Sequence, residues 1–159
     1  MAQFSDMALW LQVYMRAYPY RRSRWSTPAP FPALADAKVA LVSTAGMYMA
    51  DQPAFDASIK SGDCSYRWIP SSAIVEQLKI GHRSKSFDHA GIEADKNLGF
   101  PLDRLRELES EKIIGRLNER HLSFMGSITA PGRLMANTAP EAAHALKADG
   151  VDIAILVPV

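Results

Sequence analysis

His82-Arg83-Ser84-Lys85-Ser86-Phe87-Asp88-His89, with Asp95 and Asn97 close behind, is the densest polar cluster in the chain. Two imidazoles and a carboxylate can hold a divalent metal. They can also relay a proton while the carboxylate fixes the imidazole tautomer. The spacing matches no standard zinc pattern and includes no thiolate. The plainer alternative is a pair of solvated or hydrogen-bonded loop histidines. A third histidine, His121, opens the alternating stretch His121-Leu122-Ser123-Phe124-Met125-Gly126 and reads as an edge residue of a strand. Ser43-Thr44-Ala45-Gly46 offers small hydroxyl side chains and a glycine, which let backbone N–H groups approach an anion or a reacting atom. Cys64 is the single cysteine, with no resolving neighbour and no metal spacing, so it reads as a structural or incidental thiol.

The elements that must position these residues are legible from residue 38 onward. Val39–Val42 is a short apolar run that delivers Ser43–Gly46 at its carboxyl end. Gly62–Pro70 reads as a turn and a short strand, and Ser71-Ser72 can cap a short helix through Gln77. Leu102, Leu105 and Leu108 make the core stripe of a helix opened by Pro101 and Asp103, while Asp103 and Arg104 could instead face a site. Thr138-Ala139-Pro140-Glu141 reads as cap and first turn of a helix that Gly150 ends. Ile153–Val157 is then a strand with both faces covered. The expected fold is a three-layer α/β domain with a mostly parallel sheet and flanking helices. The ligand crevice of such a sheet lies beyond the carboxyl ends of its strands.

Before this domain, residues 4–18 suit an amphipathic helix laid on the core, on another subunit or, least favoured, on a membrane surface. Pro19, Pro28, Pro30 and Pro32, with Arg21, Arg22, Arg24 and Trp25, predict an extended arm. The expected organisation is therefore residues 1–35 as helix and Pro/Arg-rich arm, and 36–159 as the α/β domain. Net charge is +1, so no global field favours nucleic acid, and no run reaches the length of a membrane span. The basic residues follow the first apolar stretch, the reverse of a secretory signal. A soluble, cytoplasmic protein is expected. Dinucleotide, Walker, nucleophile-elbow and C-x-x-C motifs are all missing.

Several stretches carry more than their local signals: Val39–Gly46 with Asp51-Gln52-Pro53 and Phe55-Asp56; Gly62-Asp63 with Ser65-Tyr66-Arg67 and Ile69-Pro70; Asp88-His89, Asp95, Asn97 and Phe100–Leu105; His121–Gly126; and Leu146–Asp152. In that order they resemble the selenoprotein B family of glycine, sarcosine, betaine and D-proline reductases. The similarity spans residues 38 to 159, and the length is nearest to the short selenoprotein subunit of D-proline reductase. Met47–Ala50 and Gly81 depart from the family pattern, which leaves the substrate open.

The resemblance implies an oxidoreductase subunit that helps cleave a C–N bond reductively. In that family a selenocysteine-x-x-cysteine motif follows the strand matched by Ala154–Val159. The expectation is thus a chain cut short before its nucleophile and inactive alone. A partner subunit would bring a pyruvoyl carbonyl that makes the substrate carbon electrophilic, and a dithiol or thioredoxin-like reductant would reset the selenium–sulphur pair; this chain itself would carry no cofactor. Ser43, Thr44 and Asp63 would line the site, and Asp88 and His89 would handle protons. An oligomer is expected. Two rival readings stand beside this one: a non-catalytic α/β interaction subunit that docks through the 4–18 helix, and a metal-dependent hydrolase using His82, Asp88 and His89.

Overall fold

Val39, Leu41 and Ser43 project to one side of the first strand, and Ala40 and Val42 to the other, because side chains alternate along extended backbone. All but half-buried Val42 are buried, so both faces of this strand are covered. The structure, a computed structural model, describes residues 8–17, 32–84 and 89–159. The chain divides into two units, 1–30 and 31–159. Helix α1 (Leu9–Ala17) lies in the first and has no buried residue. It falls inside the helix expected over residues 4–18, whose first residues, like most of the Pro/Arg-rich arm, lie outside the described residues. No helix among the described residues is long and apolar enough to cross a membrane.

The second unit is built around β1 (Lys38–Ser43). Strand β7 (Ile153–Val157) pairs with it in parallel from Val39 to Ser43. Along the other side run β5 (Arg116–Leu117) and then β6 (Arg120–Phe124), both parallel to β1. Strand β3 (Tyr66–Pro70) closes that side, antiparallel to β6. Two short strands, β2 (Met47–Tyr48) and β4 (Lys79–Ile80), form a separate antiparallel ribbon. Helices α2 (His89–Ala94) and α3 (Leu102–Ser110) cover the Val39–Leu41 face, where Ile92, Leu102 and Leu105 join the larger core. Helix α4 (Ala139–Ala148) covers the Ala40 face with Ala142 and Leu146. The expected three-layer, mostly parallel α/β architecture is therefore present.

Helix α4 ends as its sequence predicts. Gly150 takes a φ of +74°, its N–H bonds Lys147 O at 3.0 Å, and Val151 N–H bonds Leu146 O at 3.0 Å, the paired bonds of a Schellman motif. Asp149 then receives Arg120 through two bonds of 2.8 and 2.9 Å, which ties the helix end to β6.

Four local expectations are corrected. Thr138 does not cap α4, because a wide helical turn over Leu134–Thr138 runs straight into it. Ser71 does not cap the short turn Val75–Gln77; its hydroxyl is turned inward to Asn118 O and His121. Strand β7 is covered on one face only, since Ala154 and Leu156 are exposed. His121 is not an edge residue. It is fully buried between β1 and the interruption at Asn118-Glu119, where its Nδ1 accepts the Leu41 N–H at 3.0 Å.

Gly115 sets the entry to β5. A β carbon there would stand 2.5 Å from the carbonyl carbon of Asp36 and 2.8 Å from Ala37 N and O. Backbone cannot step aside as a flexible side chain can, so Gly115→Ala is expected to cost about 3 kcal/mol. A urea denaturation midpoint equal to that of the parent chain would show that the 34–37 segment yields freely.

Candidate functional site

The carboxyl end of β1 is locked before it is functional. Ser43 is fully buried; its hydroxyl donates to Gly99 O at 2.5 Å and accepts the Ala45 N–H at 3.0 Å. Both capacities are spent on backbone, so Ser43 shapes the turn and offers a ligand nothing. Thr44 is different. Its N–H continues the ladder to Val157 O at 3.0 Å, and its hydroxyl accepts the Val159 N–H at 2.8 Å. The Thr44 carbonyl takes the Gly126 N–H at 2.8 Å. Three strand ends (β1, β6 and β7) therefore meet around one threonine.

His82 reaches this meeting point from the ribbon. Gly46, at a φ of +69°, packs against the His82 backbone and accepts the Gly81 N–H at 2.8 Å. The ring is buried, 7% exposed, and its Nδ1 accepts the Ser84 N–H at 3.3 Å. An amide can only donate, so Nδ1 is unprotonated and the neutral ring carries its hydrogen on Nε2. That nitrogen would lie 2.6 Å from a β carbon on Gly126, which also faces Thr44 O and Val159 O. His89 meets the other side of the same residue, with Nε2 3.2 Å from Ser84 O. A carbonyl can only accept, so this nitrogen donates. Burial, helped by the nearby His89, holds the His82 imidazolium below the ordinary histidine range. At neutral pH the ring is a neutral hydrogen-bond donor.

A cavity of about 390 Å³ opens at the mouth, lined by Thr44, Phe124, Gly126, Ser127, Ile128 and Val159 among others. Ser127 holds a φ of +59°, unusual for a residue with a side chain, and so turns the loop after β6 sharply. Gly126→Ala is expected to push the His82 ring outward, and its pKa should rise toward the ordinary value as burial is lost. NMR titration of the imidazole measures this; an unmoved pKa would mean the ring does not depend on the bare glycine.

Asp63 belongs to a neighbouring cavity of about 290 Å³, together with Cys64, Ser65, Ala130 and Arg133. The loop after β6 contributes to both cavities, Ile128 and Pro131 to the first and Ala130 to the second. Asp63 accepts the Asp56 N–H at 2.9 Å on one oxygen, and the Ser65 N–H and hydroxyl at 2.9 and 2.6 Å on the other. Burial alone would raise its pKa, but the Ser65 hydroxyl, the two amides and nearby Arg67 outweigh it and hold the carboxyl below its usual range. Asp63 thus organises its loop. Asp95 and Asn97 are also structural: Asp95 accepts the Asn97 N–H at 2.9 Å, and Asn97 grips Asp103 at the start of α3 through bonds of 3.0 and 3.1 Å. Asp103 also pairs with Arg106 at 2.5 Å, and Arg104 pairs with Glu107 at the surface.

Of the residues the sequence singled out, the structure gathers Thr44 and His82 at the mouth, with His89 linked through Ser84. Ser43 is turned to backbone, and Asp63 to two backbone amides and the Ser65 hydroxyl. Asp88 lies outside the described residues. No three His, Cys, Asp or Glu side chains among the described residues gather as a metal set. Gly126 and Ser127, the small polar loop that ends the alternating stretch from His121, also lie at the mouth, where a glycine ending a strand marks a place of close backbone approach.

Comparison with known proteins supplies the wider setting. Residues 14–159 match the family model of glycine/sarcosine/betaine reductase selenoprotein B. The chain is 35% identical over 123 residues to the D-proline reductase subunit gamma of Acetoanaerobium sticklandii, covering 77% of this chain and 49% of that protein. It is 32% identical over 139 residues to the betaine reductase complex component B subunit beta of Peptoclostridium acidaminophilum, covering 86% of this chain and 31% of that protein. The chain thus spans about half the length of the first relative and about a third of the second. No solved structure matches it.

Proposed function

The chain belongs to the glycine/sarcosine/betaine reductase selenoprotein B family, and from that premise we propose that it is the nucleophile-side subunit of a reductase that cleaves a C–N bond of an amino acid or amine. The observation that carries this reading is the junction of strand ends. Strand β7 runs parallel to β1 and brings the Val159 backbone onto the Thr44 hydroxyl, beside His82 Nε2. A residue following this strand would enter the mouth of the sheet, where α/β folds hold their ligands.

The reactive selenol–thiol pair is proposed to follow Val159; when present it supplies the two electrons for cleavage, with a pyruvoyl group on a partner subunit as electrophile and a dithiol or thioredoxin-like reductant to restore it. The residues of this chain prepare the place. Thr44 fixes the direction in which the backbone leaves β7. Neutral His82 presents an Nε2–H toward the position an anionic selenolate or thiolate would take. Such a donor favours the charged nucleophile over its protonated form. The Ser84 N–H holds the His82 ring in that tautomer, and His89 secures Ser84 through its carbonyl. Phe124, Ile128 and Val159 give the place a largely apolar wall.

On this reading residues 1–159 alone catalyse no turnover. The coding sequence after codon 159 is the first test: a selenocysteine codon followed by x-x-Cys in frame supports the proposal, and unrelated sequence refutes it. The second is reconstitution of the longer chain with its partner and an assay of amine-dependent dithiol oxidation. Absence of turnover with glycine, sarcosine, betaine and D-proline, or near-stoichiometric zinc or manganese in the purified protein, would overturn the reductase reading.

A further inference from the structure

The two faces of β7 are treated unequally. Ile153, Ile155 and Val157 pack against the core that holds Val39 and Leu41. Ala154 and Leu156 face outward, and Leu156 is 70% exposed. With Val42, Phe124, Ala143 and Leu146 they border an apolar groove of about 230 Å³ alongside α4. The outer edge of β7 carries no strand among the described residues.

The connections already made say what belongs in that groove. Between β1 and β5 the chain goes out to the edge strand β3 and comes back, with helices α2 and α3 on the Val39–Leu41 face. The run from β6 to β7 is a crossover between two strands that both lie parallel to β1; it passes over β1, and α4 lies on the Ala40 face. Crossovers between parallel strands share one hand, so two that move in the same direction lie on the same face. A further crossover outward from β7 repeats the direction of the β6 to β7 run and falls on the α4 face. The known relatives are two to three times as long as the segment they share with this chain, which gives such a crossover a source.

We infer that the groove of Ala154, Leu156 and α4 is the seat of a helix formed by the residues that follow β7, which then return as a strand along its outer edge. This rests on the proposal that the chain continues past Val159. It adds the place of the continuation: the helix begins at the Thr44–His82 mouth and runs back beside α4. Burying Leu156 and Ala154 supplies the apolar contact that the open face lacks.

The test uses the full-length chain, with Cys64 and the redox pair replaced by serine. Single cysteines are introduced by Leu156→Cys or, as a solvent-facing reference, Leu98→Cys, where the parent side chain is 61% exposed. Maleimide should label position 156 at least about tenfold more slowly than position 98. As a second readout, Leu156→Asp should lower the Tm of the full-length chain by about 4 °C or more. Equal labelling with an unchanged Tm overturns the inference. So does protection that appears only when the partner subunit is added or the protein concentration is raised, since another molecule then fills the groove. A reading frame without the redox motif defeats the functional proposal as well, whereas equal labelling in a chain that does continue defeats this inference alone.

Discussion

Replacing His121 with leucine lowers the stability of the domain by about 3 kcal/mol at neutral pH, in the range expected when a buried donor is left unpaired and a buried hydrogen bond is lost. The reason is the interruption between β5 and β6. There the ladder beside β1 has no carbonyl for the Leu41 N–H, and His121 Nδ1 accepts that hydrogen at 3.0 Å instead. The ring's other nitrogen, Nε2, therefore carries the hydrogen and meets Ser71 Oγ at 2.8 Å, and the Ser71 hydroxyl passes its own to Asn118 O. Leucine fills the volume but leaves the Leu41 N–H buried and unpaired. Asparagine should recover part of the loss, because its amide oxygen can occupy the Nδ1 position.

The same residue gives the fold an acid sensitivity with a definite sign. Burial, with Arg106 adding its charge, pushes the His121 pKa down to about 4. In the unfolded chain it sits near ~6.5. Between these values the unfolded chain binds more protons, so stability falls as pH drops through that window, by up to about 3 kcal/mol in all. Above pH ~6.5 this contribution is fully present. Denaturant titrations at several pH values check both statements. A His121→Asn chain that loses as much stability as the parent between neutral pH and pH 4.5 would show that another group governs the acid limb.

The second large effect is expected at the mouth. On the proposed reductase reading, His82→Ala should reduce the kcat of the reconstituted complex by about 10²- to 10³-fold, the usual loss when one donor aimed at a charged reacting group is removed. His82→Gln should stay within about tenfold of the parent, because the glutamine amide can present an N–H where Nε2–H stood. This split follows from the neutral state of the ring, which makes it a donor and not a proton carrier near neutral pH. If glutamine fails as badly as alanine, His82 moves a proton during the reaction, and its role must be rewritten. If alanine is harmless, the nucleophile does not enter beside His82.

Much of the architecture could be read from residue patterns, and the exceptions share a cause. Val39–Val42 and Ile153–Val157 announce strands by their apolar runs, and Gly150 announces a helix end by its freedom at positive φ. Those signals are local. His121 misleads because an alternating stretch looks the same at an edge and at an interruption in the middle of a sheet; what buries it is Leu41, 80 positions away. Ser71 has the right type and place for a cap, but a neighbouring strand claims its hydroxyl. Ser43 and Asp63 look like chemistry because hydroxyl and carboxylate groups serve turns as readily as substrates, and only their partners distinguish the two uses. His82 was legible as a polar residue, but its place beside Gly126 depends on how the β2–β4 ribbon folds back on Gly46.

That ribbon has a dynamic consequence. His82 follows a ribbon of two strands of two residues each, whereas Thr44 directly follows the central strand of the main sheet and continues its ladder to β7. Short pairings open far more often than a strand held on both sides. The amide of Gly81 should accordingly exchange with deuterium well before that of Thr44, and the imidazole can swing clear of the mouth while the threonine stays in place. Admission to the site would then be timed by the fraying of a small hairpin arm, without any loosening of the sheet beneath it.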